Sequence, residues 1–264
     1  MQKSVIVVKI GGSTLGNHDT TLEDLVELQK QDRSLVVVHG GGKVTSEWLV
    51  RMGIPTSFVK GLRVTDAETL KVVAATLGGL VNKELVVAIQ ALGGKAAGLS
   101  GCDGNLFRAS VKRPELGYVG EIVAVDPTPL NLLLNGGYMP VVAPISFGSI
   151  EGQAMLLNIN GDTAAGEIAA ALVAEKLVFL TDVDGIHDRS GKVISRLNPA
   201  EAKNIADSGI ASGGMIPKIE ASLRALTTTQ VVHIIDGRIT HSLLDNIDGQ
   251  AQQTKSRGTT IVAE

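Results

Sequence analysis

The sequence predicts an α/β fold: a mostly parallel central sheet covered by helices on both faces. Two observations predict it. Short β-branched runs alternate with stretches of helical periodicity along the chain, the pattern of strand–crossover–strand units. The strand runs are largely apolar, as strands buried on both faces are. With 264 residues, 44% of them hydrophobic, the chain can bury one large core or two lobes sharing a sheet.

The buried strands read, in order, as Val5 to Ile10, Leu35 to His39, Tyr138 to Ala143, Leu177 to Thr181 and Val231 to Ile235. Helical patterns fall near 20–31, 43–52, 66–92, 127–135, 161–174, 199–208 and 214–227. The span from Lys95 to Gly120 is rich in glycine and polar residues. It is expected to form hairpins or loops at one edge, with 95–105 a candidate closing loop. No linker or repeat interrupts the chain, so one domain over 1–264 is expected. Its N-terminal lobe is 1–175 and its C-terminal lobe 176–264.

A formal net charge of -3 gives no bulk electrostatic reason to expect nucleic acid or an anionic membrane. Aromatic residues make up only 3%, too few for a stacking platform under single-stranded nucleic acid. The lone cysteine, Cys102, allows no internal disulfide and fits a reducing cytoplasm. The apolar run Val5 to Val8 is too short for a membrane span, and no cleavage site follows it, so neither signal peptide nor anchor is expected.

Two strands end in glycine: Val8-Lys9-Ile10-Gly11-Gly12-Ser13 and Val38-His39-Gly40-Gly41-Gly42-Lys43. Backbone N–H groups converge in such turns, and a following helix N-terminus favours anions. Two turns from one parallel sheet belong at its carboxyl edge, where ligands bind. Alone, each cluster serves equally well as a tight turn. Neither is a Walker A loop or a G-x-G-x-x-G fingerprint.

Lys9 interrupts an apolar strand, where a lysine must snorkel or be paired. Lys218 follows Pro217 in the first turn of a helix whose stripe is Met215, Ile219, Leu223 and Leu226. A cation there opposes the helix dipole, which a bound anion would offset; a solvated lysine is the plain alternative. Asn158-Ile159-Asn160-Gly161-Asp162 precedes another helix. Capping explains one of its polar groups but not all three, and Asp162 could hold both lysines.

These pieces, in this order, resemble the amino acid kinase family, and within it the members that phosphorylate N-acetyl-L-glutamate. The likeness spans nearly the whole chain. It also includes Gly61-Leu62-Arg63-Val64-Thr65, Gly120-Glu121-Ile122, Thr181-Asp182-Val183-Asp184-Gly185-Ile186, Gly213-Gly214-Met215-Ile216-Pro217-Lys218 and Gly258-Thr259-Thr260-Ile261. The resemblance implies a three-layer αβα sandwich that moves the γ-phosphoryl group of ATP, with Mg²⁺ held mainly by its phosphates, onto the side-chain carboxylate of N-acetyl-L-glutamate in arginine biosynthesis. Lys9 and Lys218 would stabilise the phosphoryl group and Asp162 would organise them. Gly11, Gly12, Gly41 and Gly42 would donate backbone N–H groups. Arg63, Asn158 and Asn160 would bind the acid in the N-terminal lobe. Asp182, Val183, Asp184, Gly185, Ile186, His187, Ile210, Ala211 and Ser212, with Lys9 and Lys218, would contact ATP.

Two positions depart from the family's usual pattern. Gly161 stands where alanine is frequent, and glycine at this position is similar to the kinases for carrier-bound aminoadipate in lysine biosynthesis. Asn160, however, stands where those tend to carry aspartate. Cys102 stands where lysine is common. The rival readings are that carrier-dependent kinase, kinases for aspartate, carbamate or nucleoside monophosphates, a non-catalytic nucleotide-binding regulator, and an NAD-dependent oxidoreductase. The stretch 66–92 carries Leu70, Val73, Leu77, Leu80 and Leu85 with Gly78-Gly79. That is more apolar than one buried face needs, and the resemblance implies a homodimer through it. Arginine-inhibited members add an N-terminal helix. The residues before Lys9 already read as strand, so the expectation is a homodimer that arginine does not inhibit.

Overall fold

The computed structural model describes residues 4–11, 20–59, 61–150, 152–247 and 258–263. From β1 (Val5–Ile10) the chain passes through α1 (Thr21–Lys30) to β2 (Ser34–His39), then α2 (Gly42–Arg51) and the short hairpin β3 (Phe58–Val59) and β4 (Leu62–Arg63). One long helix follows: α3 (Ala67–Val73), a π-helical segment (Ala74–Val81) and α4 (Asn82–Ala91). Next come β5 (Ala96–Ser100), β6 (Phe107–Val111), β7 (Gly120–Val125), α5 (Thr128–Asn135), β8 (Met139–Ala143), β9 (Ile145–Ile150) and β10 (Gln153–Asn158). The second half comprises α6 (Gly161–Ala171), β11 (Lys176–Thr181), β12 (Arg196–Leu197), α7 (Pro199–Asp207), α8 (Met215–Ala225), β13 (Val231–Asp236), α9 (Ser242–Ile247) and β14 (Thr259–Val262).

Eight strands form one sheet in the order β12-β14-β13-β11-β1-β2-β8-β5, parallel at every pairing except β13–β14. Side chains alternate between its faces. Val5 and Val7 join one buried cluster with Ile168 and Ile219 of α6 and α8. Ile6, Val8 and Ile10 join another with Leu25, Leu85 and Leu243 of α1, α4 and α9. Two cores on opposite faces make the αβα sandwich. Because β1 and β11 are neighbours, both halves of the chain meet at its middle.

The Lys95–Gly120 span differs in part from the expectation. Ala96–Ser100 is the outer parallel strand of the large sheet, with Gly98 opposite Val141. Its glycines answer crowding rather than mobility: a Cβ on Gly98 would stand 2.1 Å from Asn82 Oδ1, and one on Gly101 2.0 Å from the Phe107 ring. Residues 96–100 are therefore a packed strand rather than a loop, and Asp103, Gly104 and Asn105 beyond it are exposed. The expected hairpin is β6–β7, which joins β9 and β10 in a separate four-stranded sheet.

The Ala67–Ala91 helix is long and apolar enough, by length and composition, to cross a membrane, but it behaves as a core helix. Its buried positions run Thr69, Val72-Val73, Thr76-Leu77, Val81-Asn82, Leu85, Ile89. The step of five between the second and third pairs is the π register. It carries Leu80 off the inner face and turns Asn82 onto it. Helices α6 and α8 approach closely, since a Cβ on Gly166 would stand 2.6 Å from the Ala221 carbonyl oxygen.

Candidate active site

Alternation places Lys9 on the same face as Val5 and Val7, the face covered by α6. Asn160 caps that helix, its Oδ1 accepting from the N–H groups of Asp162 at 2.8 Å and Thr163 at 3.1 Å. The cap leaves the Asp162 side chain free for other partners. Lys9 Nζ stands 2.6 Å from Asp162 Oδ1, and Lys218 Nζ stands 3.2 Å from Oδ2. Lys218 also donates to the Gly214 carbonyl at 3.3 Å. Lys9 and Asp162 are 7% and 5% exposed, so neither lysine merely snorkels. Burial alone would push the Asp162 carboxyl up, but the two ammonium groups outweigh it and hold it below the usual carboxylate range. The three groups expected to act together do stand together.

Beside them lies a cavity of about 190 Å³, lined among others by Gly40, Gly41, Gly42, Arg63, Asn158 and Gly161. Arg63, 8% exposed, is held by Thr56 Oγ1 at 2.6 Å, Ser46 Oγ at 2.7 Å and the Gly42 carbonyl at 3.0 Å. Its guanidinium lies over Phe58, 4.7 Å from the ring centroid. Asn158 Nδ2 donates to Thr65 Oγ1 at 3.0 Å, and Thr65 Oγ1 donates to the Arg63 carbonyl at 3.0 Å. The fully buried Thr65 thus ties two expected acid-binding residues together. It lay within a recognised motif, but nothing in its spacing assigned that task. Asn160 lines the cavity too, but its side-chain oxygen is spent on the cap.

A second cavity of about 570 Å³ shares Gly61, Leu62 and Asn160 with the first and is lined also by Ala211, Ser212, Gly213, Ile216, Pro217, Lys112 and Arg113. The Asp182–His187 stretch is not on its lining. It follows β11 separately, with Asp182 and Asp184 exposed and Asp184 Oδ1 2.8 Å from His187 Nε2. Gly185 needs its glycine: φ is +138°, and a Cβ would meet Thr259 Oγ1 at 2.8 Å. Gly11 N donates to the Leu180 carbonyl at 2.9 Å, joining β1 to this side. Gly12 lies outside the described residues. The sequence reading missed Asp236 and Arg238, a bidentate pair (2.7 and 2.9 Å) at the end of β13 whose cation also feels Asp182 and Asp184. Their D-x-R spacing was the available signal. Among the described residues no group of three or more His, Cys, Asp or Glu side chains forms a metal cage.

The sequence pattern described as the amino acid kinase family matches residues 4–236. A protein from Dehalococcoides mccartyi named acetylglutamate kinase is 43% identical over 264 residues, covering 98% of this chain and 95% of its own. One of the same name from Cereibacter sphaeroides is 44% identical over 248 residues, covering 92% and 84%. Among solved structures, smu.665 from Streptococcus mutans superposes with a TM-score of 0.82 at 28% identity, covering 98% of this chain and 99% of that one.

Proposed function

The chain belongs to the amino acid kinase family, and from that premise we propose that it transfers the γ-phosphoryl group of ATP to the side-chain carboxylate of N-acetyl-L-glutamate, a step of arginine biosynthesis. The observation that carries this reading is Asp162 clasped between Lys9 and Lys218 at the edge of a small cavity holding Arg63 and Asn158.

The chemistry asks for what this arrangement offers. The attacking carboxylate, with an ordinary pKa near ~4, is already ionised at neutral pH and needs no general base. The obstacle is bringing two anions together in line, so catalysis is positioning and charge stabilisation. Lys9 and Lys218 neutralise charge on the phosphoryl group in flight. Asp162 touches neither reactant and holds the two ammonium groups at a fixed separation. Arg63 takes a carboxylate of the acid and Asn158 its amide, while Gly41 and Gly42 present N–H groups, which act most strongly where water is excluded. The N-terminal lobe, 1–175, takes the acid and the C-terminal lobe, 176–264, takes ATP through Ala211, Ser212 and the Asp182–His187 stretch.

The donor set suits a Mg²⁺ ion that arrives with ATP, because the central carboxylate is already committed to two cations. When bound, Mg²⁺ neutralises charge on the ATP phosphates. The long Ala67–Ala91 helix supports a homodimer: Ala75, Gly79 and Val87 are exposed apolar positions on its outer side, with Lys83 between the last two. A cytoplasmic setting completes the reading.

The deciding experiment is steady-state ATP consumption with a panel of acids. N-acetyl-L-glutamate should turn over far better than glutamate or aspartate. Equal turnover of unacetylated glutamate defeats the reading, and an absolute requirement for a carrier protein replaces it with the lysine-pathway activity.

A further inference from the structure

The mechanism above leaves a buried histidine unused. His39, fully buried at the end of β2, meets a polar group on each ring nitrogen. Nδ1 lies 2.7 Å from the Gly40 carbonyl oxygen, and Nε2 lies 3.2 Å from Asn82 Nδ2. A carbonyl only accepts, so Nδ1 carries the hydrogen. The amide of Asn82 is pinned as well. Its Nδ2 donates to the Val141 carbonyl at 2.9 Å, while its Oδ1 accepts from Lys83 Nζ at 2.9 Å. What faces Nε2 is therefore an NH₂ group, which only donates, and Nε2 must accept. Both neighbours demand the same neutral tautomer. Burial, with Lys83 and Lys9 nearby, keeps the ring neutral by lowering its pKa to about 4.

The clamp acts on the Gly40–Gly41 peptide plane, and a second bond anchors the plane before it. The Gly40 N–H is tied to the Ile10 carbonyl at 2.9 Å, and the Gly40 carbonyl is held by the histidine. In a trans peptide the next N–H points opposite to that carbonyl. The Gly41 N–H therefore faces away from His39, where Gly40, Gly41 and Gly42 line the 190 Å³ cavity. Gly41 can do this only as glycine, at φ +152° and with Leu77 Cδ2 occupying the place of a Cβ.

The geometry points to His39 as a positioning residue: its Nδ1–H fixes the Gly40–Gly41 peptide so that the Gly41 N–H meets an anionic oxygen of the acid substrate, and Asn82, backed by Lys83, selects the tautomer that makes this possible. The π segment is what delivers Asn82, since continued α-helical spacing would put Leu80 inward in its place. The inference rests on reading this cavity as the acid site.

Two measurements test it. In ¹⁵N NMR of histidine-labelled protein, His39 should show a protonated Nδ1 and a bare Nε2, unchanged between about pH 6 and pH 8. An Nε2–H tautomer overturns the clamp. In kinetics, His39→Leu should lower kcat/KM for N-acetyl-L-glutamate about 100-fold, the scale of a misplaced contact, with KM for ATP changed by about twofold or less. His39→Asn sets an amide N–H near the Nδ1 position and should recover about tenfold of that loss, whereas His39→Gln, with its N–H near the Nε2 position, should recover none. Where His39→Leu does not fold, the Asn and Gln variants at matched thermal stability carry the comparison. Equal activity of those two, or a loss shared equally by the acid and ATP, overturns the proposal and leaves His39 a packing residue. If the wild type does not phosphorylate N-acetyl-L-glutamate, the functional reading fails, and the tautomer still decides the clamp.

Discussion

On the side of the Asp162 centre proposed to take the acid, Arg63 is held by three hydrogen bonds, Asn158 by Thr65, and both Arg63 and Thr65 are buried. On the side proposed to take ATP, Asp182, Asp184, Ser212 and Gly213 are exposed, and the Asp184–His187 contact is made at the surface. The contrast follows from the reactants. A small acid has few atoms with which to organise a protein, so its site must be set beforehand. ATP brings several charges and its own cation, and can order the groups it meets. One side is built and the other is left to be completed.

The largest effect should come where the two sides meet. Lys9→Ala and Lys218→Ala should each lower kcat by about 10²–10³-fold, the cost of losing a preorganised charge contact, while circular dichroism shows the fold kept. A Lys218→Ala enzyme with normal kcat would make that lysine a bystander. Next comes a pair of glycines. Gly41→Ala, strained at φ +152°, should cost about 100-fold in kcat/KM for the acid and leave nucleotide binding by calorimetry intact. Gly185→Ala, strained at φ +138°, should do the reverse. If both weaken both ligands, the two sides are not separate. Arg63→Ala should raise KM for the acid about tenfold to 100-fold, as loss of hydrogen bonds to a charged group does, with KM for ATP unmoved.

These expectations depend on how the site could be read at all. Lys9, Asp162 and Lys218 were legible because each broke a local rule: a charge in an apolar strand, a cation at a helix N-terminus, one polar group too many at a cap. The five buried strands were legible because a parallel sheet leaves runs unmixed with polar residues. Ala96–Ser100 was not, because Gly98 is dictated by Asn82 pressing on it and carries no strand propensity. Leu80 read as part of the apolar stripe, because spacing of three and four assumes an α-helix and the π segment breaks that count. Thr65 and His39 were silent, since their roles lie in contacts with Asn158 and Asn82, residues distant in the chain.

A smaller effect separates the halves by pH. Burial lowers the pKa of His39 in the N-terminal half and His233 in the C-terminal half to about 4, with Lys176 adding to the shift at His233. Both ordinarily titrate near 6.5, so between there and about pH 4 the unfolded chain binds more protons and folded stability falls as pH falls. Each contributes at most about 1.4 kcal/mol per pH unit in that window and nothing above it. Urea titrations at stepped pH should show His233→Gln with a shallower acid limb than the wild type; an unchanged limb would remove His233 from the account. The smallest change expected is Asp184→Asn, an exposed group, with KM for ATP shifting about fivefold or less, as exposed ion pairs do.

Gly166 stands one turn along α6 from Asp162, and Ala221 stands nearly one turn along α8 from Lys218. Their contact fixes how near the two helix axes run, and so how far apart the 3.2 Å partners Asp162 and Lys218 are held. A methyl group at 166 would work as a shim: it would spread the helices at a point no substrate reaches and open that contact like the jaws of a caliper. The spacing of Asp162 and Lys218 is thus gauged by an atom that is missing, and adding it would loosen that pair and the helix packing together.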